Sequence, residues 1–130
     1  MRVVCDFPPN FAELDRVFGI GNKPVVFAWG QTIYRPNGGK VSASILAHEA
    51  VHGHQQGDDI PGWWRRYIDD PAFRLEQEIP AHRAEYLVLI DGVSRQVRRN
   101  SLRIVAKKLA GPLYGGLITP RKAKMILEAA

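Results

Sequence analysis

The sequence predicts a small α+β domain in which a short antiparallel hairpin packs on helices. A β-branched and aromatic run at residues 24–29, a Gly-Gln pair and a second short run at 32–35 are typical of a hairpin. Longer segments after residue 42 carry the caps and the apolar spacing of helices. The chain has 130 residues, of which 45% are hydrophobic and 24% charged, and this suits a single domain over residues 1–130.

Local signals place the first elements. Asn10 is a candidate N-cap for a short helix over residues 10–18. In the hairpin, Gly30 can adopt the positive φ that a two-residue turn requires. Pro36 and the glycines that follow it predict a loop after the second strand.

Two long helices are expected next. Ser42 or Ser44 can cap the first, which should end near Gln56 because Gly57 stands at the usual stop position.

The second long helix begins at Asp70-Pro71, a capping carboxylate followed by proline at the first helical position. It should run toward Ile90. Pro80 lies inside it and should kink or loosen it, because the carbonyl of Glu76 loses its N–H partner.

Shorter segments complete the prediction. Residues 58–62 predict a loop, and residues 63–67 predict a helical turn packed by its aromatic side chains, Trp63 and Trp64 among them. A basic amphipathic helix is predicted over 97–109, and Thr119-Pro120 begins a last short helix.

The net charge of +5 is divided unevenly along the chain. Residues 1–91 carry 9 basic and 12 acidic side chains, a net charge of −3, and all four histidines. Residues 92–130 carry 9 basic side chains and 1 acidic one, a net charge of +8. We therefore expect one domain made of a body (1–91) that holds the chemistry and a basic helical arm (92–130) that packs against it.

The basic arm carries a stripe of arginines on its predicted helix. A solvated face is the ordinary interpretation of such a stripe. The functional alternatives are non-specific contact with nucleic acid, contact with an anionic membrane or cell wall, and contact with an acidic protein. No nucleic-acid-binding motif accompanies it. The stripe consists of Arg95, Arg98, Arg99 and Arg103.

Several classes of protein are excluded by composition. No run approaches the roughly 20 apolar residues of a transmembrane helix, and residues 1–10 do not resemble a signal peptide. The single cysteine, Cys5, cannot form an internal disulfide or a thiolate zinc cluster. The reduced interior of a cell fits this cysteine content, and a disulfide-free exported protein is the alternative.

The strongest chemical signal is the HExxH pattern from His48 to His52. Positions i and i+4 of a helix lie on one face, where two imidazoles can bind one divalent ion, by default zinc. Glu49 is rotated by about 100° from His48, so it can flank the ion without binding it. There it would accept a proton from the attacking water and pass it to the leaving amine. The alternative is a surface helix that carries two histidines by chance.

A catalytic zinc ion needs a third protein ligand and one open position. Four residues of the second long helix compete for the role: Glu76, Glu78, His82 and Glu85. Glu78 and His82 share one face, and Glu78 lies near Pro80, where a side chain can leave the regular helical direction. We expect Glu85 to be a solvated charge or a partner of Arg83 or Arg74, and we favour an ordinary surface role for Glu76.

Other residues are candidates for supporting roles. Gln55 shares the face of His48 and could line the site or cap the helix. Tyr86 and Tyr114 are candidates to donate a hydrogen bond to the oxyanion that forms during amide hydrolysis. His82 is a candidate for a supporting contact to the ligands.

His48 to His52, followed by a helix with glutamates, resembles the zincin metallopeptidases of the gluzincin type. In these proteins the third ligand is a glutamate of the following helix, so the resemblance implies Glu78. Glu78, Ala81 and His82 are similar to the E-x-x-A-(D/N) pattern of several such groups, with histidine where Asp or Asn is usual. Over Pro24 to Tyr86 the chain resembles small uncharacterised metallopeptidase-like proteins of tailed phages and prophages.

The resemblance implies a zinc metallopeptidase that hydrolyses a peptide or protein substrate, in a host cytoplasm or associated with a virion. It also implies that an exposed edge strand before the active helix binds an extended peptide, and the segment before Pro36 would supply that edge.

The alternative is a non-catalytic virion or assembly component, which would keep the zincin scaffold and contact virion proteins through the basic arm. An open fourth coordination position beside a groove would favour the enzyme. A position closed by a side chain such as His82 would favour the scaffold.

Overall fold

The computed structural model describes residues 1–129, which form six α-helices, one 3₁₀ turn and a three-stranded mixed sheet. The α+β class that the sequence predicts is therefore confirmed. The helices are α1 (Phe11–Phe18), α2 (Ala43–Gln56), α3 (Ile60–Asp69), α4 (Pro71–Leu89), α5 (Arg95–Leu109) and α6 (Pro120–Glu128), and the 3₁₀ turn covers Pro112–Tyr114. Each helix within residues 1–129 is too short or too polar to span a lipid bilayer.

The sheet consists of β1 (Arg2–Val4), β2 (Phe27–Trp29) and β3 (Thr32–Tyr34), in the spatial order β1-β3-β2. Strands β2 and β3 form the predicted antiparallel hairpin, and Gly30 between them has a φ of 59°. Strand β1 pairs with β3 in parallel and was not predicted, because its partner lies 30 residues away and no local turn joins the two strands.

The expectation of an exposed edge strand directly before α2 is wrong. Strand β3 is paired on both sides, and its middle residue, Ile33, is fully buried. Within the segment before Pro36, the strand at the edge of the sheet is β2.

The end of α2 is bonded to this hairpin by Gln56, which is buried. Its Nε2 donates to the carbonyl of Ala28 at 2.9 Å, and its Oε1 accepts from the N–H of Gly30 at 2.7 Å. The indole N–H of Trp64 donates to the same Ala28 carbonyl at 3.1 Å. Both lone pairs of that carbonyl are thus used, and the orientation of α2 against the sheet is fixed.

The helix caps agree with the sequence in most places. Ser42 caps α2 by accepting from the N–H of Ile45 at 3.4 Å, whereas Ser44 is buried. Asp70 caps α4 as predicted. Asn10 occupies the N-cap position of α1 as predicted, but its side chain accepts no hydrogen bond from the helix.

The region between α2 and α4 is more helical than predicted. Instead of a loop over 58–62 and a turn over 63–67, one helix runs over Ile60–Asp69. Its N-cap is Asp59, and Pro61 lies in its first turn, where a missing N–H has no cost. Pro61 and Gly62 lie in the first turn of this helix. A prediction based on composition alone assigns the same residues to a loop.

Helix α4 continues through Pro80. Pro80 and Glu76 are both exposed, so the carbonyl of Glu76 that loses its partner lies where water can hydrogen-bond to it.

Helix α4 separates two apolar clusters. The first, under the sheet and α3, contains Leu14, Ile20, Phe27, Trp63, Trp64, Tyr67, Ile68 and Phe73. The second joins α4 to α5, α6 and the 3₁₀ turn, and contains Leu75, Tyr86, Val105, Ala106, Leu109, Tyr114, Ala123 and Leu127. Helices α2 and α4 pack directly against each other, and the polar side chains between them form the candidate site.

Gly53 sets the distance between α2 and the hairpin. A Cβ atom at this position would lie 2.3 Å from the carbonyl oxygen of Gly30, which is closer than van der Waals contact allows. We predict that Gly53→Ala lowers the free energy of unfolding by about 1–3 kcal/mol through overpacking, although alanine is the better helix former. Urea denaturation measures this change. Unchanged or increased stability would show that α2 does not approach the hairpin this closely.

Candidate metal centre

Helices α2 and α4 bring three side-chain atoms together: Nε2 of His48, Nε2 of His52 and Oε1 of Glu78. The two nitrogens are 3.2 Å apart, and they lie 3.0 and 3.1 Å from the carboxylate oxygen. All three residues are buried. Ligands placed tetrahedrally at about 2.0–2.1 Å from one ion are roughly 3.3 Å apart, so these separations suit a single metal ion.

Gln55 determines which nitrogen of His52 carries its proton. The amide group of Gln55 donates through Nε2 to the carbonyl of Gln77 at 2.9 Å. Its Oε1 therefore faces Nδ1 of His52, also at 2.9 Å, and Nδ1–H must donate to it. The lone pair of His52 is thereby left on Nε2, toward Glu78.

His48 is oriented in the same way by a carboxylate. Its Nδ1–H donates to Oε1 of Glu85 at 2.9 Å, which leaves the Nε2 lone pair facing His52 and Glu78. Three acceptor atoms therefore converge, and their lone pairs repel one another unless a cation lies between them.

A proton can be that cation. Burial opposes the charged form of His48, but hydrogen bonds to Glu78 and Glu85 outweigh burial and raise its pKa to about 10. Burial likewise opposes protonation of His52, and Glu78 raises its pKa. A divalent ion would compete with this proton for the same lone pairs, so the donor set fits a metal ion.

Glu78 is held by an aromatic residue that the sequence did not single out for the site. The hydroxyl of Tyr67 donates to Oε2 of Glu78 at 2.5 Å, which leaves Oε1 for the histidines. Burial would raise the pKa of Glu78, but His52 and His48 hold it well below its ordinary value. Glu78 is thus a carboxylate, the form that binds a metal ion.

Glu49 lies beside this cluster and is not one of its three converging residues. It is buried on α2, and burial raises the pKa of its carboxyl group, an effect that His52 and His48 partly oppose. Its position agrees with the flanking place that the HExxH spacing predicts.

A cavity of about 410 Å³ lies next to the cluster. His48, Glu49, His52, Glu78 and Tyr114 all line it. The rest of its wall is mainly apolar and includes Phe18, Val25, Val26, Phe27, Trp64 and Leu113. The two tryptophans of α3, predicted to be packed, belong to the first apolar cluster and also line this cavity.

The expectation for Glu85 is wrong. It is 2% exposed and accepts hydrogen bonds from His48, His82 and Lys108, not from Arg74 or Arg83. The spacing along the helix could not show this, because His48 and Lys108 come from two other helices.

The two arginines instead bond to backbone carbonyls. Arg74 donates to the carbonyls of Tyr67 at 2.8 Å, Ile68 at 2.9 Å and Leu113 at 2.6 Å. Arg83 donates to the carbonyl of Ile126 at 3.1 Å. Arg74 thereby satisfies the C-terminal end of α3 and fixes the residue before Tyr114.

His82 does not close the metal centre. Its Nδ1–H donates to Glu85 at 3.0 Å, and its Nε2 accepts from the hydroxyl of Tyr114 at 3.1 Å. Its Nε2 is 3.7 Å from Oε1 of Glu78, and it is not part of the group formed by His48, His52 and Glu78. Burial lowers the pKa of His82, which favours the neutral ring that these two hydrogen bonds need.

His48, His82 and Glu85 form a second set of potential ligands. Here, however, Nζ of Lys108 lies 2.8 Å from Oε2 of Glu85. This positive charge would repel a cation, so we interpret the second set as a hydrogen-bond network that supports the first.

The remaining candidates divide by burial. Tyr114 lines the cavity, whereas Tyr86 is packed in the second apolar cluster and does not reach it. Glu76 is exposed, in agreement with the surface role expected for it, and His54 is exposed as well. Lys108 and Tyr114 show that the basic arm contributes side chains to the site, so the body does not hold all of the chemistry.

The geometry thus defines a buried cluster of two histidines and one glutamate that can hold a metal ion, beside a carboxylate and a cavity. Comparisons of the chain with protein-family models, with curated proteins and with solved structures find no match. The resemblance to zincins stays a prediction.

We predict that His48→Ala loses its stoichiometric metal, because two ligands cannot hold the ion that three hold. Elemental analysis of purified protein measures the metal content. His54→Ala is the matched control, since His54 is exposed on the same helix and should leave the content unchanged. Equal metal content in both variants would contradict the assignment of His48 as a ligand.

Proposed function

We propose that this protein is a zinc-dependent metallopeptidase that hydrolyses peptide bonds. The observation that carries the proposal is the convergence of His48, His52 and Glu78 at the wall of a cavity that also contains Glu49. These three residues would hold the ion. Zinc suits two imidazoles and a carboxylate, and when bound it would polarise the carbonyl of the scissile amide and acidify a water molecule.

Glu49 is the proposed general base. Its carboxylate lies next to the ligands without belonging to them, so it is free to accept a proton from the attacking water. The same group would then deliver the proton to the leaving amine, which is a poor leaving group until it is protonated.

Tyr114 is the proposed donor to the developing oxyanion. Its hydroxyl lies at the cavity wall and bonds to Nε2 of His82 at 3.1 Å. Rotation of the hydroxyl hydrogen from His82 toward the substrate oxygen would stabilise the negative charge as it forms. His82 would keep the ring of Tyr114 in place.

The cavity also suggests how a peptide is held. Val25 and Val26, just before β2, form one wall, and an extended peptide would lie along them. Strand addition cannot continue along β2, because the carbonyl of Ala28 already accepts from Gln56 and Trp64. Recognition would therefore depend on side chains, and the apolar wall favours a substrate with a large apolar residue next to the scissile bond.

The second candidate is a non-catalytic component of a larger assembly. The observation in its favour is the exposed basic surface of α5, where Arg95, Arg98, Arg99 and Arg103 are all exposed. Such a surface suits an anionic partner. Metal binding without hydrolysis of any peptide would favour this candidate.

We predict that Glu49→Gln retains zinc and lowers the rate of peptide hydrolysis by about 10²–10⁴-fold, because the amide cannot accept the proton. Quenched fluorescent peptides with large apolar residues measure the rate, and elemental analysis measures the zinc. Glu76→Gln, an exposed glutamate, is the control and should keep full activity. Full activity of Glu49→Gln would remove Glu49 from the mechanism.

A further inference from the structure

Glu85 accepts hydrogen bonds through both of its carboxylate oxygens. Its Oε1 accepts from Nδ1–H of His48 at 2.9 Å and from Nδ1–H of His82 at 3.0 Å. Its Oε2 accepts from Nζ of Lys108 at 2.8 Å. Because burying a carboxylate is costly unless it is paired and hydrogen-bonded, these three donors explain how Glu85 can be 2% exposed.

We propose that Glu85 is the positioning carboxylate of the metal centre and that Lys108 of α5 is its fixed counter-charge. This inference rests on the proposed metal site. One carboxylate would set the tautomers of two histidines, since each ring that donates from Nδ1 keeps its lone pair on Nε2.

The Nε2 atoms of the two histidines face different partners. In His48 the lone pair faces His52 and Glu78, where the ion would lie. In His82 it accepts the hydroxyl hydrogen of Tyr114. Glu85 therefore orients His48, a proposed ligand of the ion, directly, and it orients Tyr114, the proposed oxyanion donor, through His82. Glu85 itself does not line the cavity and is not one of the three proposed ligands.

The geometry of α4 makes this arrangement possible. Glu78, His82 and Glu85 are at positions i, i+4 and i+7, which lie on one face over two helical turns. Glu78 reaches the histidines from one level of α4, and Glu85 reaches His48 from about 10 Å farther along the helix axis. His82 lies between them and contacts both carboxylates.

Lys108 gives the basic arm a specific role. It is the only lysine or arginine within residues 1–129 that forms an ion pair with a site carboxylate. Its side chain is 45% exposed, so solvent screens part of the attraction, whereas Glu85 is buried. The neighbouring Lys107 is also exposed and forms no ion pair with any of residues 1–129, which makes it a matched control.

The first test is the affinity of the protein for Zn²⁺, measured by competition with a chromophoric chelator. We expect Glu85→Gln to bind Zn²⁺ about 10–100-fold more weakly, because the amide offers one acceptor oxygen to donors that now use two. Glu76→Gln should bind like the unmodified protein. Lys108→Met removes both a donor to Glu85 and a positive charge near the ion, so it should change the affinity for Zn²⁺, whereas Lys107→Met should leave it unchanged. Equal affinities of Glu85→Gln and Glu76→Gln would overturn the proposal.

The second test needs neither metal nor activity. Nitrogen-15 NMR of the chelator-treated protein identifies the tautomer of His82, which we expect to be Nδ1–H, in accord with its donation to Glu85. In Glu85→Gln the Nδ1–H population should fall. An Nε2–H tautomer of His82 in the unmodified protein would overturn the proposal, whether or not the variant folds.

The two tests separate this inference from the peptidase function. Weaker Zn²⁺ binding in Glu85→Gln and an Nδ1–H tautomer of His82 support the positioning role, even if no peptide is hydrolysed. Hydrolysis with an unchanged Zn²⁺ affinity in Glu85→Gln supports the peptidase and contradicts the positioning role.

Discussion

Three carboxylates are buried around the contact between α2 and α4, and the arrangement of the site follows from how their charge is compensated. Glu78 is balanced by two histidines and by the hydroxyl of Tyr67, and Glu85 by two histidines and Lys108. Glu49 has only the positive charge that His48 and His52 can carry. A buried charge that loses its partner is strongly destabilising. Removing any one of these groups is therefore expected to destabilise the others.

The sequence predicts those parts of the site that depend on local spacing. His48, Glu49 and His52 share one capped helix, and their mutual placement needs no knowledge of the fold. The roles of Glu85 and Tyr67 could not be predicted in this way, because each is decided by a residue of another helix. Strand β1 was not predicted for the same reason, since its pairing partner lies 30 residues away. The hairpin, in contrast, depends on a local turn.

The boundary in charge at residue 91 is not a boundary in structure. Helix α4 packs against α2 on one side and against α5 on another, so its side chains face the body and the arm together. Lys108 and Tyr114 therefore belong to the same network as His48, although they come from the part of the chain with a net charge of +8. Charge counting separates residues by sequence, whereas a hydrogen-bond network joins them through space.

The carbonyl of Ala28 also bears on how copies of this protein meet. An exposed strand can template the addition of a strand from a second molecule, which leads to aggregation. Strand β2 has only three residues, and its middle carbonyl is already occupied by Gln56 and Trp64. A neighbouring copy therefore finds no continuous row of backbone acceptors there, so the protein can keep a sheet edge beside its cavity with little tendency to polymerise through it.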